Sequence, residues 1–238
     1  AKLIKPRKWL LMITKLKDRL NFTKVLLVST FLFSILSSIS KAENRFFYQL
    51  GANYVEGNSH SNFKGSSNSR FGEIIEGHRL DFGLGLSSEI KKIKVDYIVS
   101  FSPDAFGNQV DTTNSCPNPN FECRVNIKDS LDLGVKFYLP SNASKITPTV
   151  YLGLSNADIQ LKTFNRSGSD ILMMSHQRNW GGTVGMGLNY DLNNDTAISL
   201  DYSWTAYEKN EEQVSTFPEF AKSRPEINSL SLKLKKYF

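Results

Sequence analysis

The feature that most constrains this chain is an alternation of apolar and polar side chains with a period of two, repeated eight times between Phe46 and Phe238. The last segment sets Leu230, Leu232, Leu234 and Phe238 against Ser229, Ser231, Lys233 and Lys235. The segment before it sets Ile198, Leu200, Tyr202 and Trp204 against Ser199, Asp201, Ser203 and Thr205. Earlier segments run through Trp180 to Tyr190, Ile146 to Leu154, Leu131 to Leu139, Ile93 to Phe101, Leu80 to Leu86 and Phe46 to Tyr54; Ile98 breaks the polar face of its segment. Successive side chains point to opposite faces only in a strand, so the chain reads as eight strands, each apolar on one side.

Two architectures accept such strands: a water-soluble sandwich or barrel, and a transmembrane barrel. The connections decide between them. Long ones are expected near 57–76, 103–125, 159–177 and 208–226, and short ones near 88–91, 140–145 and 193–195, where Asn193-Asn194-Asp195 is a tight-turn sequence. Long and short strictly alternate, which sorts every long loop to one end. Outer-membrane barrels have that asymmetry and an even strand count. Five same-face residues span roughly 26 Å along a strand, or roughly 20 Å of height at a tilt near 40°, close to the ~25 Å apolar band of such barrels. An open sheet edge in lipid would strand backbone groups without partners, so the eight strands are expected to close.

The charge distribution supports export. Residues 1–42 carry nine basic side chains and one acid, Asp18; the rest carries 20 basic and 22 acidic residues. The overall +6 therefore belongs to the leader, and a nucleic-acid partner loses its electrostatic basis. The leader has a positive region ending at Lys24, an apolar run from Val25 to Ile39 that is short for a membrane span, and Ser40-Lys41-Ala42 ahead of Glu43. This is the layout of a secretory signal peptide. Residues 1–42 are read as leader and signal peptide, with 1–11 upstream of a start at Met12, and residues 43–238 as the barrel domain. A mean hydropathy of −0.31 agrees with strands that face lipid on one side and a polar lumen on the other. Export puts Cys116 and Cys123 in an oxidising compartment, where a local disulfide is expected; no metal site or cofactor is expected.

With these strands, the phrase Leu80-Asp81-Phe82-Gly83-Leu84-Gly85-Leu86 and the terminal Phe238, the chain resembles the eight-stranded outer-membrane barrels typified by the membrane domain of OmpA, by OmpX and by the opacity-type surface proteins. The resemblance covers residues 43–238. It implies that Leu234 and Phe238 belong to a C-terminal signal read by the barrel-assembly machinery; Lys236 departs from the apolar residue usual at the third position from the end.

Counted up and down from the periplasm, Phe46, Tyr48, Phe137, Tyr190 and Phe238 fall at the inner rim. Tyr54, Phe101, Trp180, Tyr202 and Trp204 fall at the outer rim, as two aromatic girdles would. Arg79, Asp81, Lys94, Asp96, Asp132, Lys136, Asp201, Lys233 and Lys235 fall on the inward face among glycines. An eight-stranded barrel is just wide enough for its own side chains, so these charges are expected to pair as a plug; a narrow ion or proton path is the alternative. A lipid A-modifying enzyme of the PagP or PagL type needs a histidine, a serine and an acid in one constellation. His60, His78 and His176 have no such setting, so no catalytic residue is assigned. The expectation is a non-enzymatic outer-membrane barrel of a Gram-negative bacterium. Outer-membrane lipid surrounds it, and its loops, the second above all, contact a host, phage or cell-surface ligand.

Overall fold

The computed structural model describes residues 44–62, 70–90, 92–103, 109–112, 121–140, 145–165, 171–208, 210–211 and 222–238. The leader and the Cys116–Cys123 pairing lie outside them. Eight long strands build the barrel: β1 (Arg45–Asn62), β2 (Arg70–Ile90), β3 (Ile93–Ser102), β5 (Phe121–Tyr138), β6 (Ile146–Asn165), β7 (Ile171–Asn193), β8 (Thr196–Tyr207) and β10 (Lys222–Tyr237). Two short strands, β4 (Gln109–Thr112) and β9 (Asn210–Glu211), lie within the long connections. Every barrel pairing is antiparallel, in the ring order β1, β10, β8, β7, β6, β5, β3, β2, and the β1–β2 pairing closes it.

The short turns gather at one end. Ile90 pairs with Ile93 across a tight hairpin whose Lys92 adopts φ 69°. Asn193 pairs with Thr196, and the backbone N–H of Asp195 donates to Asn193 Oδ1 at 2.9 Å, the Asx turn that such a sequence favours. At this end the chain termini of the barrel are tied in: Phe238 N–H donates to Phe46 O at 3.0 Å, and Arg45 pairs with Asp195 at 2.6 Å.

The outward face is apolar. Leu50, Leu84, Leu152, Met186, Leu188, Leu200 and Leu232 are all exposed there, Leu84 and Met186 by 66% and 67%. A continuous apolar belt of this kind belongs in hydrocarbon rather than water.

The first and third of the expected long loops are largely strand. β1 continues to Asn62 and β2 begins at Arg70; β6 and β7 continue to Asn165 and from Ile171. With 18 residues, β1 is ~60 Å long, or ~45 Å high at a 40° tilt, so the wall rises ~20 Å beyond a ~25 Å belt. Polar composition marked these stretches as loops, but above a membrane a strand no longer needs an apolar face, and ladder hydrogen bonding continues without it.

Glycine is required where the lumen is tightest. A Cβ on Gly134 would meet the Tyr151 ring, and one on Gly187 would meet the Asp201 carboxylate and the Leu200 carbonyl oxygen. Gly134→Val is expected to destabilise the barrel by about 1–3 kcal/mol through overpacking, measured as a lower urea midpoint for unfolding from lipid vesicles.

Candidate functional site

Inward-pointing side chains stack in four layers along the lumen. At the turn end, Phe47, Ile98, Ala197 and Tyr237 form a buried cluster with Tyr151 packed against it. Phe47 meets Tyr237 edge-on at 5.7 Å. Ile98, which the alternation marked as an interruption of a polar face, is part of this seal: it faces inward and supplies apolar volume. Around the cluster, Lys235 Nζ donates to Asp96 and to Tyr138 OH at 2.7 Å, and Tyr138 OH donates to Asp96 at 2.5 Å. Lys94 Nζ donates to Tyr237 OH at 2.9 Å. Both ammonium groups lie over rings, Lys94 at 4.6 Å from the Tyr138 centroid and Lys235 at 4.4 Å from Phe47. These cation–π contacts let a charged layer also serve as an apolar one.

The next layer is centred on Asp201. Lys136 Nζ donates to both of its carboxylate oxygens at 2.8 Å, and Lys233 Nζ lies 3.6 Å away. One carboxylate thus compensates two ammonium groups brought from β5 and β10, on either side of β8's own strand position.

Above it lies a polar chamber of about 80 Å³. Arg79, Asp81, Asp132, Lys233 and Asp201 line it together with hydroxyls from Ser155, Thr205 and Tyr207. Arg79 donates to Ser130 Oγ, which donates to Asp132 at 3.0 Å, so a hydroxyl bridges the guanidinium and the carboxylate. Asn53 Nδ2 donates to Asp81 at 2.6 Å, and the Ser155 and Tyr207 hydroxyls are 3.0 Å apart. The space suffices for several water molecules, and Arg79 Nε, buried without a protein partner, faces this region.

The fourth layer, at the loop end, is apolar and was not legible as part of the lumen. Val55, Ile75, Ile127, Ala157, Ile159 and Ile227 are all buried, none more than 3% exposed. Register puts them inward: Gly57 pairs with both Ile75 and Ile227, and Ile127 pairs with Ile159. A β-bulge between Ile127 and Ser130 shifts the alternation of β5 by one residue, which hid Ile127 from a period-two count.

On the outside, Phe46 and Tyr48 flank Phe238 with ring centroids at 6.5 and 6.3 Å. Phe137 and Tyr190 sit near the same end, facing Val150 and Ile198 respectively in register. Towards the loop end, Tyr54 packs against His78 at 5.6 Å and Tyr202 OH donates to Asn228 at 3.0 Å. Trp204 lies beside Val184, Trp180 beside Asn156, and Phe101 between Phe82 and Leu131 near the end of β3. Leu234 and Phe238 are exposed on this outer face. The side chains of His60 and His176 lie outside the described set. Among the described residues no three His, Cys, Asp or Glu side chains converge as metal ligands.

The sequence matches the family model for the outer membrane protein beta-barrel domain over residues 28–222. Solved structures similar to it include three outer-membrane proteins. Neisserial surface protein A is 13% identical with a TM-score of 0.44, covering 81% of this chain and 97% of that one. Ail, the attachment invasion locus protein of Yersinia pestis, is 12% identical with a TM-score of 0.38, covering 81% and 98%. OprG of Pseudomonas aeruginosa is 13% identical with a TM-score of 0.45, covering 82% and 96%. No curated protein matches the sequence.

Proposed function

Because the chain belongs to the outer membrane protein beta-barrel family and so resides in the outer membrane of a Gram-negative bacterium, we propose that it is a closed, non-enzymatic barrel that displays a recognition surface at its loop end. The carrying observation is the lumen's layering. An aromatic–lysine seal and an apolar layer bracket the ion-paired middle, an arrangement that favours a lumen without a continuous water path, while the long strands project beyond the apolar belt. In this reading the turn end faces the periplasm and residues 1–42 direct export. Phe238, 72% exposed, and Leu234 are the contacts offered to the barrel-assembly machinery. The Cys116–Cys123 bridge tethers the second connection and lowers the ordering cost of binding through it.

The test replaces residues 104–120 with a short turn. Adhesion of expressing cells to host or neighbouring cells is expected to be lost, while the barrel keeps its heat-modifiable migration on gels. Unchanged adhesion removes the second connection from the recognition surface. An altered lipid A mass spectrum in overexpressing cells contradicts the non-enzymatic reading.

A further inference from the structure

One lysine interrupts the apolar belt. On the outward face of the eight barrel strands, below the level of Tyr54, Tyr202 and Trp204, Lys236 alone among the described residues is charged. It shares that face with Leu234 and Phe238 and lies between Thr196 and Tyr48 in register. Its ammonium has one polar neighbour among the described residues, the Thr196 hydroxyl at 3.4 Å. Beside it the Tyr48 ring leans on Phe238 at 6.3 Å. Aromatic rims of this kind lie at headgroup depth, where a lysine keeps its stem on apolar surface and its charge in the interface. The counter-charge within its reach is therefore the lipid's.

The same row leads into a groove. Tyr48, Leu50, Phe82, Leu84, Val99 and Phe101 line an outward-facing hollow of about 430 Å³ across β1, β2 and β3. That falls within the roughly 300–1,000 Å³ of ligand pockets. All six side chains are exposed on the outer face.

Strand stagger sets the relative depth of lysine and groove. Followed from partner to partner once around the ring, Tyr48 leads through Leu84 and Val99 to Glu226 and returns to β1 at Asn58, ten residues along. Each step from β10 towards β3 therefore climbs towards the loop end, by roughly 3 Å at a tilt near 40°. Lys236 lies below Tyr48, while Leu84 and Val99 lie above it, deeper in hydrocarbon. A charge at the rim with an apolar hollow rising from it matches the polarity of a single lipid molecule.

We propose that Lys236 and this groove hold one anionic phospholipid of the periplasmic leaflet. Its phosphate sits against the Lys236 ammonium beside Tyr48, and an acyl chain runs over Leu84. A basic side chain at a membrane interface selects anionic headgroups, so this molecule is chosen by charge, unlike the lipid that merely surrounds the belt. The site rests on the reading that the turn end faces the periplasm.

The purified full-length barrel in neutral detergent is titrated with phosphatidylglycerol or phosphatidylcholine of the same chains and read by native mass spectrometry. Heat-modifiable migration checks the folding of each variant. One phosphatidylglycerol is expected to bind at least about tenfold tighter than phosphatidylcholine, as a charge-assisted contact gives. Lys236→Gln is expected to bring the two lipids within about twofold, and Lys236→Arg to keep the preference. Leu84→Trp, which fills the groove, is expected to weaken phosphatidylglycerol by about tenfold. Equal affinity for the two lipids in the unaltered protein, or a preference unmoved by Lys236→Gln, overturns the site. A lipid-free dimer that Leu84→Trp breaks also overturns it, by giving the groove to a second copy. Tighter binding of lipid A than of phosphatidylglycerol overturns the site and the orientation together. The exchange of residues 104–120 leaves the groove intact, so the recognition role and the lipid site fail separately. Adhesion unchanged by that exchange with lipid selectivity kept supports the site, and adhesion lost with no lipid selectivity overturns the site alone.

Discussion

Replacing Asp201 with alanine is expected to cost the barrel about 3–5 kcal/mol, the usual penalty for breaking a buried ion pair by removing one partner. Both Lys136 and Lys233 depend on this carboxylate, and Lys136 is 2% exposed. The loss leaves a desolvated ammonium whose replacement counter-charges, Asp81 and Asp132, already accept hydrogen bonds from Asn53 and Ser130. Unfolding by urea from lipid vesicles measures the cost. The paired change Lys136→Met with Asp201→Leu removes both charges and is expected to recover much of the loss, since an apolar pair of similar volume often equals a buried ion pair. If the single and paired variants are equally unstable, shape rather than charge holds this layer.

Leu232→Arg is expected to cost about 2–4 kcal/mol, the penalty for an arginine on the lipid face near the midplane of an outer-membrane barrel. Leu232 lies between Ala52 and Leu200 in register and is 57% exposed, so its neighbours are lipid tails and it has no polar partner within reach. The same substitution at Asn58, beyond the belt on the outward face of β1, is expected to be nearly neutral because the side chain enters water. Equal costs at the two positions would contradict the placement of the belt. Both values come from the same vesicle unfolding experiment.

Much of this architecture was legible in the residues. A period of two is a local property of a strand, and the alternation of long and short connections sorts the two ends without any tertiary information. Inward charges such as Asp96, Lys136, Asp201 and Lys235 could be named because they share a face with glycines. Their partners could not, since pairing across the lumen, such as Lys235 with Asp96 over 139 residues, depends on ring order and stagger. The two seals were illegible for different reasons. Ile98 and Phe47 look like faults in a polar face until the opposite wall is present to bury them. Ile75 and Ile159 lie in stretches that read as loops, Ile227 borders one, and a bulge shifts the phase of β5 just after Ile127.

The closed lumen is tested most directly by the current carried by the purified full-length barrel in a planar bilayer. Across a range of voltages and at high salt, the layered lumen predicts a baseline without steady open levels. The Phe47→Ala/Tyr237→Ala variant, which removes the aromatic seal at the turn end, is expected to show more frequent transient openings than the unaltered protein. Steady, large open levels from the unaltered protein would contradict the account and establish the lumen as a channel.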